Sequence, residues 1–344
     1  MTFEALHEKE IDAVPLVFVD TETTGLYPGL GHRVVEVAAV RIEGWEETGR
    51  FNRLVNPQRP MSAKATEISG ISDADLQEAP RFAAVADDLL ALLDGAFLVA
   101  HNAAFDAGFL GLELHLAGRG GAARVPLLPN PWLCTLLLAR RNFNFDRNGL
   151  GAIASRLGVR SGRAHRALND VYTTIAVFKR MAHELGKQGL QSAGDLLFAQ
   201  QEPIFTPPAP DVALPEVIAA ALPTGQPLRL LYLGSGAANP VVIPRYAVRH
   251  RGVAQLIATD AASGAPLALQ LDLIFTAEPV AQQPNRSPAG CCAAGYWPTR
   301  LPNSGRDPKA QPADPSPPGA ADDGIMCTDY RTRPGAAGHL ARIA

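Results

Sequence analysis

Short apolar runs predict the strands of the first half of the chain. They cover residues 16–20, 34–42, 49–55 and 96–100 and are bounded by polar, Gly or Pro positions. Runs of this length are typical of buried strands. The connection at 43–46 is short enough for a hairpin. We therefore expect the second and third strands to pair as antiparallel neighbours.

Amphipathic stretches predict helices between and after these strands. Apolar residues recur at three- and four-residue spacing over 82–93, 150–157 and 167–185, and another helix opens after Asn102. Residues 131–141 are also predicted to be helical. A hairpin followed by strands that alternate with helices is typical of a mixed α/β sheet flanked by helices.

A different pattern begins after the Pro-rich segment 203–210. A short helix is predicted at 214–221, and strand-like runs follow at 228–233, 241–249, 254–259 and 267–275. From residue 279 onward Pro, Gly, Ala and Ser dominate without periodicity, which predicts disorder. The predicted organisation is an N-terminal extension (1–13), an α/β domain (14–188), a linker (189–213), a small, mostly-β domain (214–278) and a disordered tail (279–344).

Composition and charge are those of an ordinary globular chain. The 344 residues are 47% hydrophobic, which supports real cores, and the net charge of −3 does not by itself indicate a nucleic-acid binder. No apolar run is long enough to span a membrane, and the first residues lack the segments of a signal peptide. The four cysteines form no CxxC pair, so neither a zinc site nor a disulfide framework is favoured. We therefore expect a cytoplasmic protein without membrane attachment.

Two carboxylates, Asp20 and Glu22, end the first apolar run. Residues i and i+2 of a strand point to the same face, so both side chains aim together. Crowded like charges repel, and burying them unpaired is costly. A hard divalent cation such as Mg²⁺ takes oxygen ligands and would relieve this repulsion. The alternative is a strand end that runs into a polar turn.

Two later stretches carry the remaining candidate groups. Asn102 and Asp106 stand where a predicted strand runs into a helix, and His165 and Asp170 stand at the start of the longest predicted helix. The alternatives are a helix cap, a first-turn acid and a polar turn residue. Taken with the first pair, three Asp, one Glu and one His match a two-metal phosphoryl-transfer centre at strand ends. A histidine can take the proton of an attacking water.

Three motifs in order and spacing resemble the DnaQ-like 3′–5′ exonucleases of the DEDD superfamily, His subtype. They are DTETTGL at 20–26, HNAAFD at 101–106 and HRALND at 165–170. The resemblance extends over residues 14–186. It implies an RNase H-like fold, a pair of Mg²⁺ or Mn²⁺ ions, and hydrolysis from a 3′ end to 5′-nucleoside monophosphates.

The resemblance also implies a role for each acidic residue and for the histidine. Asp20, Glu22 and Asp170 would hold the metal that activates water. Asp20 would also reach the second metal, which Asp106 supports. His165 would be the general base.

Candidate substrate-binding residues lie in the first two motifs. By the resemblance, Thr23 and the backbone after it, including Gly25, would hold the 3′-terminal nucleotide, and Leu26 would pack on its base. Asn102 and Phe105 are further candidates, with core packing as the alternative for Phe105.

Two features outside the motifs bear on the substrate. Ser69 stands where the family commonly has a histidine, and a serine cannot stack on a base. The segment 119–166 holds nine Arg against one Asp, a charge that attracts a phosphate backbone, with a solvated Arg-rich surface as the alternative. We expect DNA with a single-stranded or frayed 3′ end as the partner.

The second half of the chain carries two further resemblances. Residues 214–276 resemble the WYL domain, a small Sm-like β-barrel of bacterial regulators, through the runs LRLLY (228–232), VIPRYAV (242–248), RGVAQLIA (251–258) and LQLDLI (269–274). Residues 194–198, GDLLF, resemble sliding-clamp-binding peptides, with a plain amphipathic helix as the alternative. A DNA polymerase subunit and a sliding clamp are therefore candidate partners.

The sequence favours a metal-dependent 3′–5′ exonuclease that acts on DNA in proofreading or repair. An exoribonuclease that trims RNA ends is a second hypothesis, because recognition of the 2′-OH depends on pocket detail. A regulatory protein that binds nucleic acid through the WYL-like domain is a third. The intact acidic set and His165 argue against the third.

Overall fold

Strand β1 (Leu16–Thr23) lies at the centre of a mixed five-stranded sheet. The computed structural model describes residues 3–119, 128–160, 162, 164–234 and 239–280. The sheet is completed by β2 (Val34–Glu43), β3 (Glu46–Leu54), β4 (Phe97–Ala100) and β5 (Trp132–Cys134), in the order β3-β2-β1-β4-β5. The pairs β1–β2 and β2–β3 are antiparallel, whereas β1–β4 and β4–β5 are parallel.

The turn between β2 and β3 confirms the predicted hairpin. Its two central residues, Gly44 and Trp45, have φ angles of 59° and 65°. Positive φ at both central positions is typical of the type I′ turn, whose twist matches that of the paired strands.

Ten α-helices are described, and most of them cover the faces of this sheet. They are α1 (Phe3–His7), α2 (Ala63–Ser69), α3 (Asp73–Leu76), α4 (Phe82–Leu93), α5 (Ala103–Leu116), α6 (Thr135–Asn142), α7 (Leu150–Arg156), α8 (Ala167–Gly186), α9 (Ala193–Gln200) and α10 (Glu216–Ala221). Helices α4, α5 and α8 begin where the apolar periodicity predicts them. The mixed sheet with flanking helices confirms the predicted fold class.

Alternate residues of β1 enter two separate cores, one on each face of the sheet. Leu16 and Phe18 pack on the side of α8, where the Phe18 and Phe178 rings meet with centroids 5.5 Å apart. Val17 and Val19 pack on the side of α4 and α5. Because both faces are covered, β1 is a continuous apolar run rather than an alternating one.

The helix predicted at 131–141 is wrong in its first part. Trp132–Cys134 form β5, and the helix α6 begins only at Thr135. The three strand residues are buried, and only Thr135, which is also buried, separates them from the leucines of α6. A short apolar run of this kind matches the strand and the helix pattern equally well.

Helix α9 lies within the stretch predicted as a linker, 189–213. Its residues Ala193, Leu196 and Ala199 are buried in the same core as Phe18. Leu6 of α1, within the predicted N-terminal extension, is buried there too. Both segments therefore add to the core of the first sheet, and the division into domains at the predicted boundaries stays a prediction.

A second, antiparallel sheet follows in the chain. It contains β6 (Leu228–Tyr232), β7 (Val241–His250), β8 (Val253–Asp260), β9 (Pro266–Gln270) and β10 (Ile274–Pro279), in the order β10-β6-β7-β8-β9. The single strand predicted at 267–275 is two strands, because a 3₁₀ turn at Leu271–Leu273 separates β9 from β10. The mostly-β character is as predicted, and the WYL resemblance stays a prediction.

Two further expectations concern the ends of the chain and membranes. The disordered tail predicted at 279–344 lies outside the described residues from 281 onward. Among the helices in the described part of the chain, none combines the length and the apolar character needed to cross a bilayer.

Candidate active site

The carboxylates Asp20 and Glu22 lie at the C-terminal end of β1. In the antiparallel pair with β2, Asp20 stands opposite Ala38 and Glu22 opposite Glu36. Both acids are half-buried. The register shifts directly after Glu22, so the chain leaves the ladder there and turns into a loop. The buried strand thus ends with both side chains on one face, as the sequence predicts.

Asp106 reaches the same end of the sheet from α5. Strand β4 is parallel to β1, and Asn102 links β4 to α5 with a left-handed backbone, φ 68°. The side chain of Asn102 makes no capping hydrogen bond to α5. Asp106 is only 2% exposed and accepts a hydrogen bond of 2.8 Å from Thr21 Oγ1. The bond couples the acid to β1 between Asp20 and Glu22.

His165 and Asp170 complete the cluster from the start of α8. His165 has a φ of 62°, and its backbone N–H donates to Asp170 Oδ2 at 2.9 Å. A left-handed backbone in a residue other than Gly is uncommon and concentrates at functional sites. One ligand atom each from Glu22, His165 and Asp170 lie within 4.8 Å of one another. Residues far apart in sequence therefore converge as predicted.

Glu36 and Arg166 form an ion pair beside the cluster that the sequence reading missed. Glu36 is 1% exposed. The Arg166 Nε and Nη2 atoms each donate to one carboxylate oxygen at 3.1 Å, and the Ala167 N–H donates at 3.3 Å. The pair ties β2 to the first turn of α8. A lone Glu within the apolar run VVEVAAV at 34–40 was the available signal.

The environment of Glu22 disfavours its negative charge. Burial raises the pKa of Glu22 from its ordinary value of 4.5 to about 7, and repulsion from Asp170, Glu36 and Asp106 adds to this, while Arg166 opposes it. Burial also raises the pKa of Asp170, although the N–H of His165 counteracts the shift. Both acids would ionise more readily beside a cation.

The pKa values of Asp20 and Asp106 are also raised. Burial, followed by repulsion from Asp106 and Asp170, raises the pKa of Asp20 well above its ordinary value. Burial raises the pKa of Asp106 to about 7, against the lowering effect of its bond with Thr21. Strong desolvation of several neighbouring acids is typical of functional sites.

A divalent cation fits this set of side chains. The carboxylates of Asp20, Glu22, Asp106 and Asp170 are hard oxygen donors, which Mg²⁺ and Mn²⁺ prefer. Burial, and for Asp20 and Glu22 also repulsion from neighbouring acids, raises their pKa values, so a nearby cation would favour the ionised forms. The donor atoms of Glu22, His165 and Asp170 are close enough to share one ion.

The loop after β1 presents the predicted substrate residues. Thr23 Oγ1 donates to the Gly25 carbonyl at 2.7 Å, which closes a tight turn. A Cβ on Gly25 would clash with the His32 ring, so a larger residue there would require that ring to move. Leu26 is 66% exposed at the tip of this turn. The geometry leaves Leu26 free to contact a ligand.

Phe105 and Ser69, the two other positions considered for contact with a base, both have contacts within the fold. Phe105 is half-buried and packs on Phe109 with centroids 4.8 Å apart, within the second core. Its packing favours a structural role, and substrate binding stays a prediction for Phe105 and Asn102. Ser69 is buried, donates to the Ala65 carbonyl at 2.9 Å, and offers no stacking surface.

His101 of the second motif contacts the first residue of α6. Its Nδ1 lies 2.9 Å from Thr135 Oγ1, and it links the end of β4 to α6. Burial lowers the pKa of His101 to about 4, so the ring is neutral near neutral pH.

The Arg-rich segment 119–166 is partly neutralised. Arg119, Arg141 and Arg166 form ion pairs with Asp87, Glu202 and Glu36. Within the described part of the chain, four more exposed arginines have no ion pair: Arg140, Arg147, Arg156 and Arg160. These four remain available to attract a phosphate backbone.

Comparison with known proteins identifies the family. The sequence model described as Exonuclease matches residues 17–178. DNA polymerase III subunit epsilon of Rickettsia felis is 40% identical over 166 residues, covering 47% of this chain and 71% of that protein. The DNA polymerase III subunit epsilon-like protein of Rhodobacter capsulatus is 38% identical over 198 residues, covering 56% of this chain and 27% of that protein.

Two further matches differ in how much of the related protein they cover. The 3′–5′ exonuclease DinG of Bacillus subtilis is 36% identical over 170 residues, which are 49% of this chain and 18% of that protein. This chain thus spans little more than a quarter of the Rhodobacter relative and less than a fifth of DinG. The structure of exonuclease X in complex with 5′ overhanging duplex DNA aligns with a TM-score of 0.41 at 29% identity, covering 53% of this chain and 99% of that one.

The Rickettsia relative decides the assignment, because the match combines high identity with coverage of most of that protein. The Exonuclease sequence model matches the part of the chain that carries the acidic cluster and His165. The chain therefore belongs to the family of DEDD-type 3′–5′ exonucleases that includes DNA polymerase III subunit epsilon.

Proposed function

We propose that this exonuclease hydrolyses DNA from the 3′ end and releases 5′-nucleoside monophosphates, in proofreading or repair. One observation supports this most strongly. Donor atoms of Glu22, His165 and Asp170 lie within 4.8 Å of one another, beside the loop that presents Leu26. The residues that we propose as the base, the metal ligands and the seat for a chain end are thus near one end of β1.

The acidic residues would hold a pair of Mg²⁺ or Mn²⁺ ions. Asp20, Glu22 and Asp170 would hold the first ion, and Asp20 and Asp106 the second. When bound, such ions polarise the phosphate and lower the pKa of water. The raised pKa values of Glu22 and Asp106 support this assignment, since both acids gain from nearby positive charge.

His165 would take the proton of the attacking water. Its side chain is exposed, so the imidazole is accessible from the substrate side. Its backbone is held by the bond to Asp170 and by the neighbouring pair of Arg166 with Glu36. General bases positioned in this way commonly contribute about 10²–10⁴-fold to a rate.

The turn at Thr23–Leu26 would hold the 3′-terminal nucleotide. The Thr23–Gly25 bond fixes the turn, and exposed Leu26 would pack against the terminal base. The exposed arginines of segment 119–166 would attract the phosphates further along the strand. The names of the polymerase III relatives support DNA as the substrate and a DNA polymerase subunit as a partner.

A sliding clamp is the other protein partner we propose. The GDLLF run lies in α9, and Phe198 within it is 74% exposed. An aromatic side chain that protrudes from a folded helix supports protein docking, but Leu196 of the same run is buried. A peptide-like contact would therefore use only the outer face of α9.

The substrate is tested by competition between DNA and RNA. Purified protein is incubated with 5′-labelled single-stranded DNA and RNA of the same sequence and Mg²⁺ or Mn²⁺. We expect stepwise shortening of DNA, faster than that of RNA, and complete loss of activity in EDTA. Faster loss of RNA would replace the DNA assignment with an exoribonuclease. Binding without degradation under every metal condition would instead favour the nucleic-acid-binding regulator.

A further inference from the structure

A cavity of about 600 Å³ lies between loops of the exonuclease sheet and the second β-sheet. Its walls come from the β1–β2 loop, the segment after β3, the start of α4, the end of α5, the α10–β6 loop, and strands β7, β8 and β9. Four arginines line it: Arg33, Arg59, Arg81 and Arg245. The cavity is separate from the acidic cluster, and none of its lining residues belongs to that cluster.

The positive charge of the cavity is only partly compensated. Glu113 is the one acid among the lining residues. Both of its carboxylate oxygens are engaged by Arg33, with two N–O distances of 2.7 Å, and one oxygen also accepts from the Val34 N–H. The charges of the other three arginines therefore lack a carboxylate on the cavity wall.

Arg59 has a buried hydrogen-bond donor without an acceptor among the residues that the structure describes. One of its terminal nitrogens donates to the Gly31 carbonyl. Its Nε is buried and makes no hydrogen bond to any described residue. Burial lowers the pKa of Arg59, and the nearby charge of Arg33 acts in the same direction. A buried donor without an acceptor is unfavourable. Arg59 lines the cavity, so an anion there would stabilise its positive charge.

We propose that this cavity binds the phosphate group of a nucleotide. Guanidinium groups match phosphate oxygens in a forked, charge-assisted geometry. The volume is within the range of small-ligand pockets. Tyr246, whose hydroxyl lies 3.4 Å from the Gly31 carbonyl, adds a polar group to the same wall. The phosphate belongs either to a free nucleotide or to the backbone of a nucleic-acid strand. This site goes beyond the proposed function and does not depend on it.

Calorimetric titration of the full chain in EDTA tests the site. The ligands are adenosine 5′-monophosphate, inorganic phosphate and a short single-stranded DNA oligonucleotide. The variants are Arg59→Gln and Arg245→Gln, and Arg50→Gln, which removes the same charge from an exposed ion pair outside the cavity, is the control. Circular dichroism verifies that each variant folds. Arg245 is exposed, so its replacement by Gln leaves the protein interior unchanged.

We expect each cavity variant to bind at least about tenfold more weakly, the loss of one charge-assisted bond, while Arg50→Gln binds as the unmodified chain does. If the cavity variants bind the mononucleotide more weakly and Arg50→Gln does not, the ligand is a free nucleotide. If only the oligonucleotide shows this difference, the ligand is the backbone of a strand. Equal affinities in all proteins, equal losses in all three variants, or no binding of any ligand would overturn the site. EDTA removes the metal ions, so the titration measures binding without hydrolysis. The cavity and the proposed exonuclease function can therefore succeed or fail independently.

Discussion

Arg166 and Glu36 form a two-pronged ion pair that joins β2 to the start of α8, with both N–O distances at 3.1 Å. Glu36 stands opposite Glu22 in the β1–β2 register, and Arg166 directly follows His165. Arg166 thus balances one acid of a crowded negative cluster. It also fixes the turn that carries His165 and Asp170.

Replacement of Arg166 by Ala is expected to destabilise the protein and slow the reaction. The change leaves Glu36 buried without its partner, which costs about 2–3 kcal/mol when allowance is made for the exposed part of Arg166. We expect kcat to fall more than KM rises, because the pair positions His165 and Asp170. Chemical denaturation and steady-state kinetics measure the two effects.

The control for Arg166 is Arg50→Ala. The Arg50–Glu47 pair is more exposed, and such pairs contribute about 0–1 kcal/mol. A double-mutant cycle of Arg166→Ala with Glu36→Gln isolates the pair. Unchanged kcat in Arg166→Ala would contradict the positioning role, and additive effects in the cycle would contradict the coupling.

Replacement of Asp20 by Asn is expected to raise the Tm of the metal-free protein. Ionised Asp20 is disfavoured by burial and by Asp106 and Asp170, so the amide removes repulsion. We expect an increase of about 2 °C or more in EDTA. The same variant should lose the rise in Tm that Mg²⁺ or Mn²⁺ gives the unmodified chain.

Asp88→Asn serves as the control for Asp20, because it removes an exposed acid of α4. It should leave both the Tm in EDTA and the metal-induced rise unchanged. Thermal unfolding followed by circular dichroism measures all three proteins. A lower Tm for Asp20→Asn in EDTA would show that the carboxylate stabilises the metal-free fold, contrary to this interpretation.

The stability of the metal-free protein should fall as the pH rises toward 7. The pKa of Glu22 is raised from 4.5 to about 7 and that of Asp106 from 3.8 to about 7 in the folded state. An acid whose pKa is higher in the folded than in the unfolded state stabilises the fold fully at a pH below the unfolded-state pKa. This stabilisation is lost as the pH rises through the folded-state pKa. Between these limits the folded state retains protons that the unfolded state releases.

Denaturant unfolding in EDTA at pH 5 and pH 8 measures this dependence. In the Glu22→Gln, Asp106→Asn double variant, the free energy of unfolding should fall less between pH 5 and pH 8, because the two amides do not titrate. Added Mg²⁺ should stabilise the unmodified chain more at pH 8 than at pH 5, since protons compete with the ion. The same pH dependence in both proteins would refute the assignment of these two acids.

Several parts of this picture could be predicted from the sequence. The carboxylates of β1, the Asp106 stretch and the His165–Asp170 stretch each follow a buried strand or begin a helix, and the structure brings them together at one sheet end. Apolar spacing also predicts α4 and α8 within a residue of their observed ends. Local periodicity is sufficient where an element is long and strongly amphipathic.

Other parts depend on contacts between distant segments. Strand β5 is three residues long and only Thr135 separates it from the leucines of α6, so periodicity could not distinguish the two elements. The partner of Glu36 is 130 residues away in sequence. The cavity lined by Arg59 is formed by loops and helices around the first sheet together with strands of the second sheet, and no local pattern indicates it. Pairings of this kind follow from topology rather than from spacing.

Replacement of Leu26 by Ala should weaken substrate binding. Leu26 is 66% exposed in the absence of substrate, so its burial against a terminal base would contribute about 1–1.5 kcal/mol. We expect kcat/KM to fall about tenfold, mainly through KM. Leu233→Ala is the matched control, since Leu233 is 64% exposed but follows β6 of the second sheet. Equal kinetics for Leu26→Ala and the unmodified chain would exclude Leu26 from the substrate seat.

The most direct test of the central claim is a time course on 5′-labelled single-stranded DNA with Mg²⁺ or Mn²⁺. We predict a ladder that shortens stepwise from the 3′ end, no degradation by Asp20→Ala, and a rate about 10²–10⁴-fold lower in His165→Ala with its metal-induced rise in Tm retained. Undiminished degradation by Asp20→Ala, or release of the labelled 5′ nucleotide as the first product, would contradict it.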